Sequence, residues 1–301
     1  MNAHSNPNRL LETVLRHVGH LSASLRPLDT GFPGVSIVRA DEPSDIDCAV
    51  SRPLCCLVLQ GRKQVTMGTE VFSFGAGDTL LITADVPTVS QITTAEPGRP
   101  YVSLVLELDP VIISELSVEI SQTSVSAPPV RVDQTNAEVA DAACRLIQLL
   151  DRPESVAVLG AQRLREIYYW LLAGERGSEI SRLGWPDSHS QRVARTVALL
   201  RADYAKPLRI GRLASLAGMS RSTFHQHFRA VTSLSPLQFQ KQMRLIEARR
   251  LMVSEGQSAS SAAFSVGYES VSQFTREYGR MFGRPPARDA ESVRKQSEAA
   301  A

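Results

Sequence analysis

Cysteine is scarce: four in 301 residues, at Cys48, Cys55, Cys56 and Cys144. That excludes a disulfide-stapled secreted scaffold, and the spacing fits no zinc pattern of paired ligands at short intervals. Histidine is missing from the middle of the chain, with none between His20 and His189. A metal-dependent enzyme barrel would need histidine ligands there, so neither metal nor cofactor is expected. No apolar run approaches the roughly 18–20 residues of a membrane span. In the first 25 residues His, Arg and Glu interrupt the apolar positions, unlike the core of a signal peptide. The expectation is a soluble, cytoplasmic chain with no membrane association. Ser-His-Asp, G-x-S-x-G and G-x-x-x-x-G-K-S/T arrangements are missing too. No catalytic residue is nominated and no enzyme is expected.

What is present is ordinary globular material: 43% apolar and 21% charged residues, enough chain for two domains. The net charge of +2 hides a split. Residues 1–188 carry 15 Lys and Arg against 23 Asp and Glu, a net of −8, whereas residues 189–301 carry 18 against 8, a net of +10. A basic C-terminal third suits a polyanionic partner, DNA or RNA, although a solvated Arg-rich helical face would look the same.

Residues 8–19 read as an amphipathic helix with Leu10, Leu11, Val14, Leu15 and Val18 on one side. Between Val35 and Leu108 short β-rich runs recur (VSIVR, LCCLVLQ, QVTM, EVFSF, DTLLIT, TVSQITT, YVSLVLEL), divided by Gly, Pro and Asp. Such spacing argues a barrel or sandwich. Helical periodicity follows over Asp109–Ile120, Asn136–Leu150 and Val156–Ala173. The polar stretch Arg176–Ser190 reads as a linker, its core at 181–190. From Gln191 to about Phe282 short helices alternate with Gly or Pro turns.

Two segments of that last region repeat one pattern. In residues 209–229, Ala214 is small where helices must approach, and Gly218 suits a turn of positive φ. Ser220 can cap the next helix, and Phe224 and Phe228 lie one turn apart on its buried side. In residues 259–280, Ala263, Gly267, Ser270, Phe274 and Tyr278 repeat these roles with a turn one residue longer. This is the pattern of a helix-turn-helix whose second helix enters the major groove. Between them SPLQFQKQMRLIEARRLMV starts with an N-cap Ser235 and a first-position Pro236, and Phe239, Met243, Ile246, Arg250 and Val253 follow helical spacing. Its length of about 28 Å could hold two recognition helices in adjacent grooves roughly 34 Å apart.

The run SPLQFQKQMRLIEARRL followed by GYESVSQFTREYGRMFGRPP resembles the DNA-binding domain of AraC/XylS-type transcription regulators. LQGRKQVTMG, FSFGAGDTLLITADVP and PYVSLVLELDP resemble the N-terminal domain of an AraC subgroup. The resemblance implies an α+β chain. A cupin-like β-barrel with flanking helices (1–180) would bind an effector and dimerise. An all-α domain (191–290) would carry two helix-turn-helix motifs joined by a long helix, followed by a disordered tail (291–301). The sequence departs from the pattern at Ala259 and Ala262, where larger aliphatics are usual, and at Gln226, where Arg is common.

The same resemblance implies that Ser222, His225, Gln226, Val271, Ser272, Thr275 and Arg276 read bases, Arg276 foremost because Arg pairs bidentately with guanine. Arg221, Arg229, Arg280 and Arg284 fit phosphates. His225 and His227 are two apart on a helix, face different ways and make poor metal partners. Cys55 and Cys56 are neighbours in a strand, so one should face inward and one outward. They are either core or sensor thiols, and a sensor needs solvent access and a lowered pKa. In Val156–Ala173, Leu159, Leu164, Ile167, Tyr168, Leu171 and Leu172 form a stripe that either packs on its own domain or seals a dimer. The expected function is DNA-binding transcription regulation. Partners would be double-stranded DNA, RNA polymerase, a small effector and a second copy. Competing readings are a cupin-fold enzyme fused to a DNA-targeting module, and a repair or architectural factor.

Overall fold

The computed structural model describes residues 7–18, 24–68, 70–120, 128–185 and 188–299. Helix α1 (Pro7–Val18) comes first. Among the described residues ten strands build two antiparallel sheets. The larger runs β1 (Ser24–Asp29), β2 (Val35–Ala40), β9 (Tyr101–Glu107), β4 (Leu54–Gln60), β7 (Asp78–Ile82) and β10 (Val130–Gln134) in spatial order. The smaller runs β3 (Asp47–Ser51), β8 (Val86–Thr94), β5 (Arg62–Met67) and β6 (Glu70–Gly75). Each sheet ends in two open edges, so the expected barrel is not closed. Strand-forming runs show that strands exist, but closure needs an edge-to-edge pairing that no local run encodes.

The larger sheet is covered on both faces. On one side Ile37, Cys55, Leu57 and Leu104 meet Val14 of α1, Val139 and Leu146 of α3 (Ala137–Ile147), and Ile167 of α4 (Pro153–Ala173). On the other, Val38, Cys56 and Val58 meet Val65, Met67 and Phe74 of the smaller sheet. Full burial of side chains this size contributes about 1.5–3 kcal/mol each. The expectation that only one of Cys55 and Cys56 faces inward is therefore corrected: both faces of β4 are interior, and both thiols are buried.

Helix α2 (Pro110–Glu119) begins at Asp109, whose carboxylate accepts the Val111 N–H at 2.8 Å. The segment read as a linker instead holds a short helix, α5 (Gly177–Ser181), with Ile180 and Ser181 buried. Its polar composition disguises packing because its charges are matched across the fold. Arg176 pairs with Asp133 at 2.8 Å, and Glu179 with Arg131 at 3.1 Å. A Cβ on Gly184 would run into the backbone of Ser114 in α2.

The C-terminal half is helical: α6 (His189–Ala202), α7 (Ile210–Leu216), α8 (Arg221–Thr232), α9 (Pro236–Ser254), α10 (Ala259–Ser265), α11 (Val271–Phe282) and α12 (Pro286–Ala299). The last helix occupies most of the stretch expected to be a disordered tail. Helix α9 does not keep one apolar stripe. Phe239 and Met243 join the core of α6–α8, while Leu245, Ala248, Leu251 and Met252 join that of α10–α12. Arg250, placed on the stripe by spacing, is exposed. A helix that serves two cores on different sides shows no single periodicity. The two halves touch: α9 packs on β3 and β8, and Arg201 of α6 pairs with Asp85 at 3.0 Å.

Candidate nucleic-acid interface

The two helix-turn-helix units are built alike. At the end of α7, Gly218 takes φ +62°, and the Met219 N–H donates to the Ala214 carbonyl at 2.9 Å. At the end of α10, Gly267 takes φ +86°, and the Tyr268 N–H donates to the Ala263 carbonyl at 3.0 Å. Both are left-handed helix stops that let the next helix start almost at once. Ser220 then accepts from the Thr223 N–H at 3.2 Å, and Ser270 from the Gln273 N–H at 3.3 Å. Ser235 and Gln238 form a reciprocal capping box at the start of α9.

Packing fixes the faces. Ala214, Phe224, Phe228, Ala263, Phe274 and Tyr278 are all buried. The rings of Phe224 and Phe228 lie 5.4 Å apart, as do those of Phe274 and Tyr278. With those faces turned inward, Ser222, His225 and Gln226 of α8 and Ser272, Thr275 and Arg276 of α11 are exposed, and Val271 is half-buried. Arg221, Arg229, Arg280 and Arg284 are exposed as well. His227 instead turns inward and stacks on His189, ring centroids 3.7 Å apart, while His225 stays outside.

Sequence reasoning missed the clamps that hold the two units together. Arg244 of α9 donates to the carbonyls of Tyr204, at 2.8 Å, Ala205 and Lys206, at 3.1 Å each, and Gly267, at 2.9 Å. Gln240 donates to the Tyr204 and Lys206 carbonyls at 2.9 and 2.7 Å. One arginine thus ties the turn before α7 to the turn before α11. Burial lowers its guanidinium's pKa, partly offset by Tyr268, Glu269 and Glu277. Within the second unit, Arg249 of α9 and Asp289 of α12 pair at 2.8 Å, and the Tyr278 hydroxyl donates to the same carboxylate at 2.7 Å. The only advance signal was the place of Arg244 and Arg249 within the run RLIEARRL.

The two conditions for a sensor thiol are not met. Cys55 and Cys56 are 0% and 5% exposed, and burial raises the pKa of both thiols. They sit as core side chains. In α4, Leu164, Ile167, Tyr168 and Leu172 are buried in their own domain, and Leu171 is half-buried. Leu159, 40% exposed, is the outward member of the stripe.

The family model for the AraC-type transcriptional regulator N-terminus matches residues 31–179, and one for a helix-turn-helix domain matches residues 213–291. The virulence regulon transcriptional activator VirF of Yersinia enterocolitica is 24% identical over 174 residues, covering 56% of this chain and 62% of that protein. The RCS-specific transcriptional activator RclR of Escherichia coli is 40% identical over 82 residues, 27% of this chain and 29% of that one. The chain thus spans about three-fifths of the length of VirF. ToxT of Vibrio cholerae shares the fold, with a TM-score of 0.54 over 85% of this chain and 97% of ToxT at 11% identity. Other ToxT structures hold an unsaturated fatty acid or (E)-4-(8-methylnaphthalen-1-yl)but-3-enoic acid. The matched models, one in each half, and the paired helix-turn-helix units place the chain in the AraC/XylS-type transcription regulators, in the subgroup with an AraC-type N-terminal domain.

Proposed function

We propose that the chain is a sequence-specific DNA-binding transcription regulator, and an activator, as VirF and RclR are named. Residues 191–290 form the DNA-binding unit. Residues 1–180, read as a cupin-like sandwich, bind a small effector that shifts the unit's occupancy of its operator. ToxT, which shares the fold, binds small apolar acids, and that supports an effector here. The reading includes a homodimer, a contact with RNA polymerase and a cytoplasmic site of action. Among the described residues no helix is long and apolar enough to cross a membrane. The chain acts by binding, not by catalysis.

The observation that carries this is the repeated unit: two glycine-stopped turns, each followed by a capped helix with one aromatic face buried and one polar, Arg-bearing face exposed. The basic charge of residues 189–301 supplies the phosphate attraction. The test is to select duplexes from a random pool with the full chain. A consensus should emerge, bound about 1000-fold more tightly than random DNA. Affinity should fall steeply between roughly 50 and 200 mM salt. No consensus, with a flat salt response, contradicts the proposal.

A further inference from the structure

Where the two halves meet there is a cavity of about 880 Å³, within the size range of small-molecule sites. Its wall is mostly apolar and comes from both halves: Phe32, Gly160 and Leu164 on one side, Val193 and Val197 of α6 and Val231 of α8 on the other. The charged groups are unbalanced. Among the described residues that line it, Arg52 stands against three carboxylates, Asp85, Glu107 and Asp109. Arg52 lies 3.9 Å from Glu107, Asp109 caps α2, and Asp85 is bridged from outside the lining by Arg201. Burial pushes the Asp85 carboxyl upward, against the pull of Arg201 and Arg52.

We propose that this cavity is the effector site and that it takes an apolar cation, an amine or quaternary ammonium on an aromatic or branched aliphatic body, seated with its charge toward Asp85. This rests on the effector reading above and adds the place and the chemistry. An anionic head would meet three carboxylates and one arginine, the most buried of them Asp85, whereas a cation gains a charge-assisted contact there. A cation at Asp85 competes with Arg201. The 3.0 Å bridge joins the N-terminal half to α6, so its loss removes one tie between the halves. Val231 and Thr232, the last turn of α8, also line the cavity, so an occupant touches the first recognition helix.

The test uses calorimetry on the full chain with three probes that share one body and differ in head charge: 4-phenylbutylamine, 4-phenylbutanol and 5-phenylpentanoate. The amine should bind at least roughly tenfold more tightly than the alcohol, and the carboxylate least. Asp85→Asn should bring the amine down to the alcohol's affinity while alcohol binding persists, which shows that the variant is folded. Ala194→Trp, at an exposed position on the cavity wall, should abolish binding of all three. Tightest binding by the carboxylate, equal binding of all three, or no binding by any overturns the proposal. Calorimetry needs no DNA, so failure here is distinct from failure to find an operator.

Discussion

Arg276 stands on the exposed face of α11 and joins no ion pair among the described residues. That leaves its planar fork of donors for a guanine edge. Arg276→Ala should weaken binding to the selected operator by roughly 1–3 kcal/mol and leave affinity for random duplex nearly unchanged. Fluorescence anisotropy on both duplexes measures this, and equal losses would make Arg276 a phosphate contact. A second residue-scale prediction concerns His227. Burial, and then the neighbouring His189 ring, hold its imidazole below the usual value. The folded state therefore resists protonation that the unfolded chain accepts. This stability is complete above the ordinary histidine pKa of about 6.5 and is lost as pH falls from there through the lower folded value. Acidification from about pH 7.5 to 5.5 should lower Tm more in the natural chain than in a His227→Gln variant. Identical drops would rule out His227 as the group responsible.

At the scale of elements, the two glycine turns look equivalent but differ in surroundings. A Cβ on Gly218 meets nothing closer than an Arg192 nitrogen at 3.7 Å, so Gly218→Ala should cost only the left-handed backbone term, about 1–2 kcal/mol. A Cβ on Gly267 would run into the Ala205 carbonyl and crowd the Arg244 guanidinium. Gly267→Ala should therefore destabilise by more than twice as much, read from urea unfolding midpoints. Equal shifts would mean that the second turn is not pinned. These turns, their Ser caps and their aromatic pairs were legible because each rests on contacts within a dozen residues. The strands were legible in part. Of the ten, β1, β3 and β10 escaped the sequence reading, and all three are sheet edges. An edge strand is covered on fewer sides and need not show a clean apolar alternation: β3 is exposed or half-buried throughout, and β1 carries Pro27. β4, buried on both faces, reads as the continuous run LCCLVLQ. The clamp residues Gln240 and Arg244 were hidden because a polar side chain that binds carbonyls leaves no periodic trace.

Over the whole molecule, an acidic and a basic half were visible as the charges −8 and +10. How they join was not. The Arg201–Asp85 bridge spans 116 residues of sequence and involves one charge on each side. The segment read as a linker packs on α2 at Gly184 and pairs its charges with Arg131 and Asp133 of β10, and composition cannot distinguish such matched charges from solvated ones. The cavity between the halves likewise depends on side chains from distant segments that only the fold assembles.

The central claim is that α8 and α11, braced by one rigid α9, read DNA together. Hydroxyl-radical footprinting of the full chain on its selected operator tests this most directly. Two protected segments on one face of the duplex, about one helical turn or 10 bp apart, are predicted. A single protected segment, or protection on opposite faces, would contradict the claim.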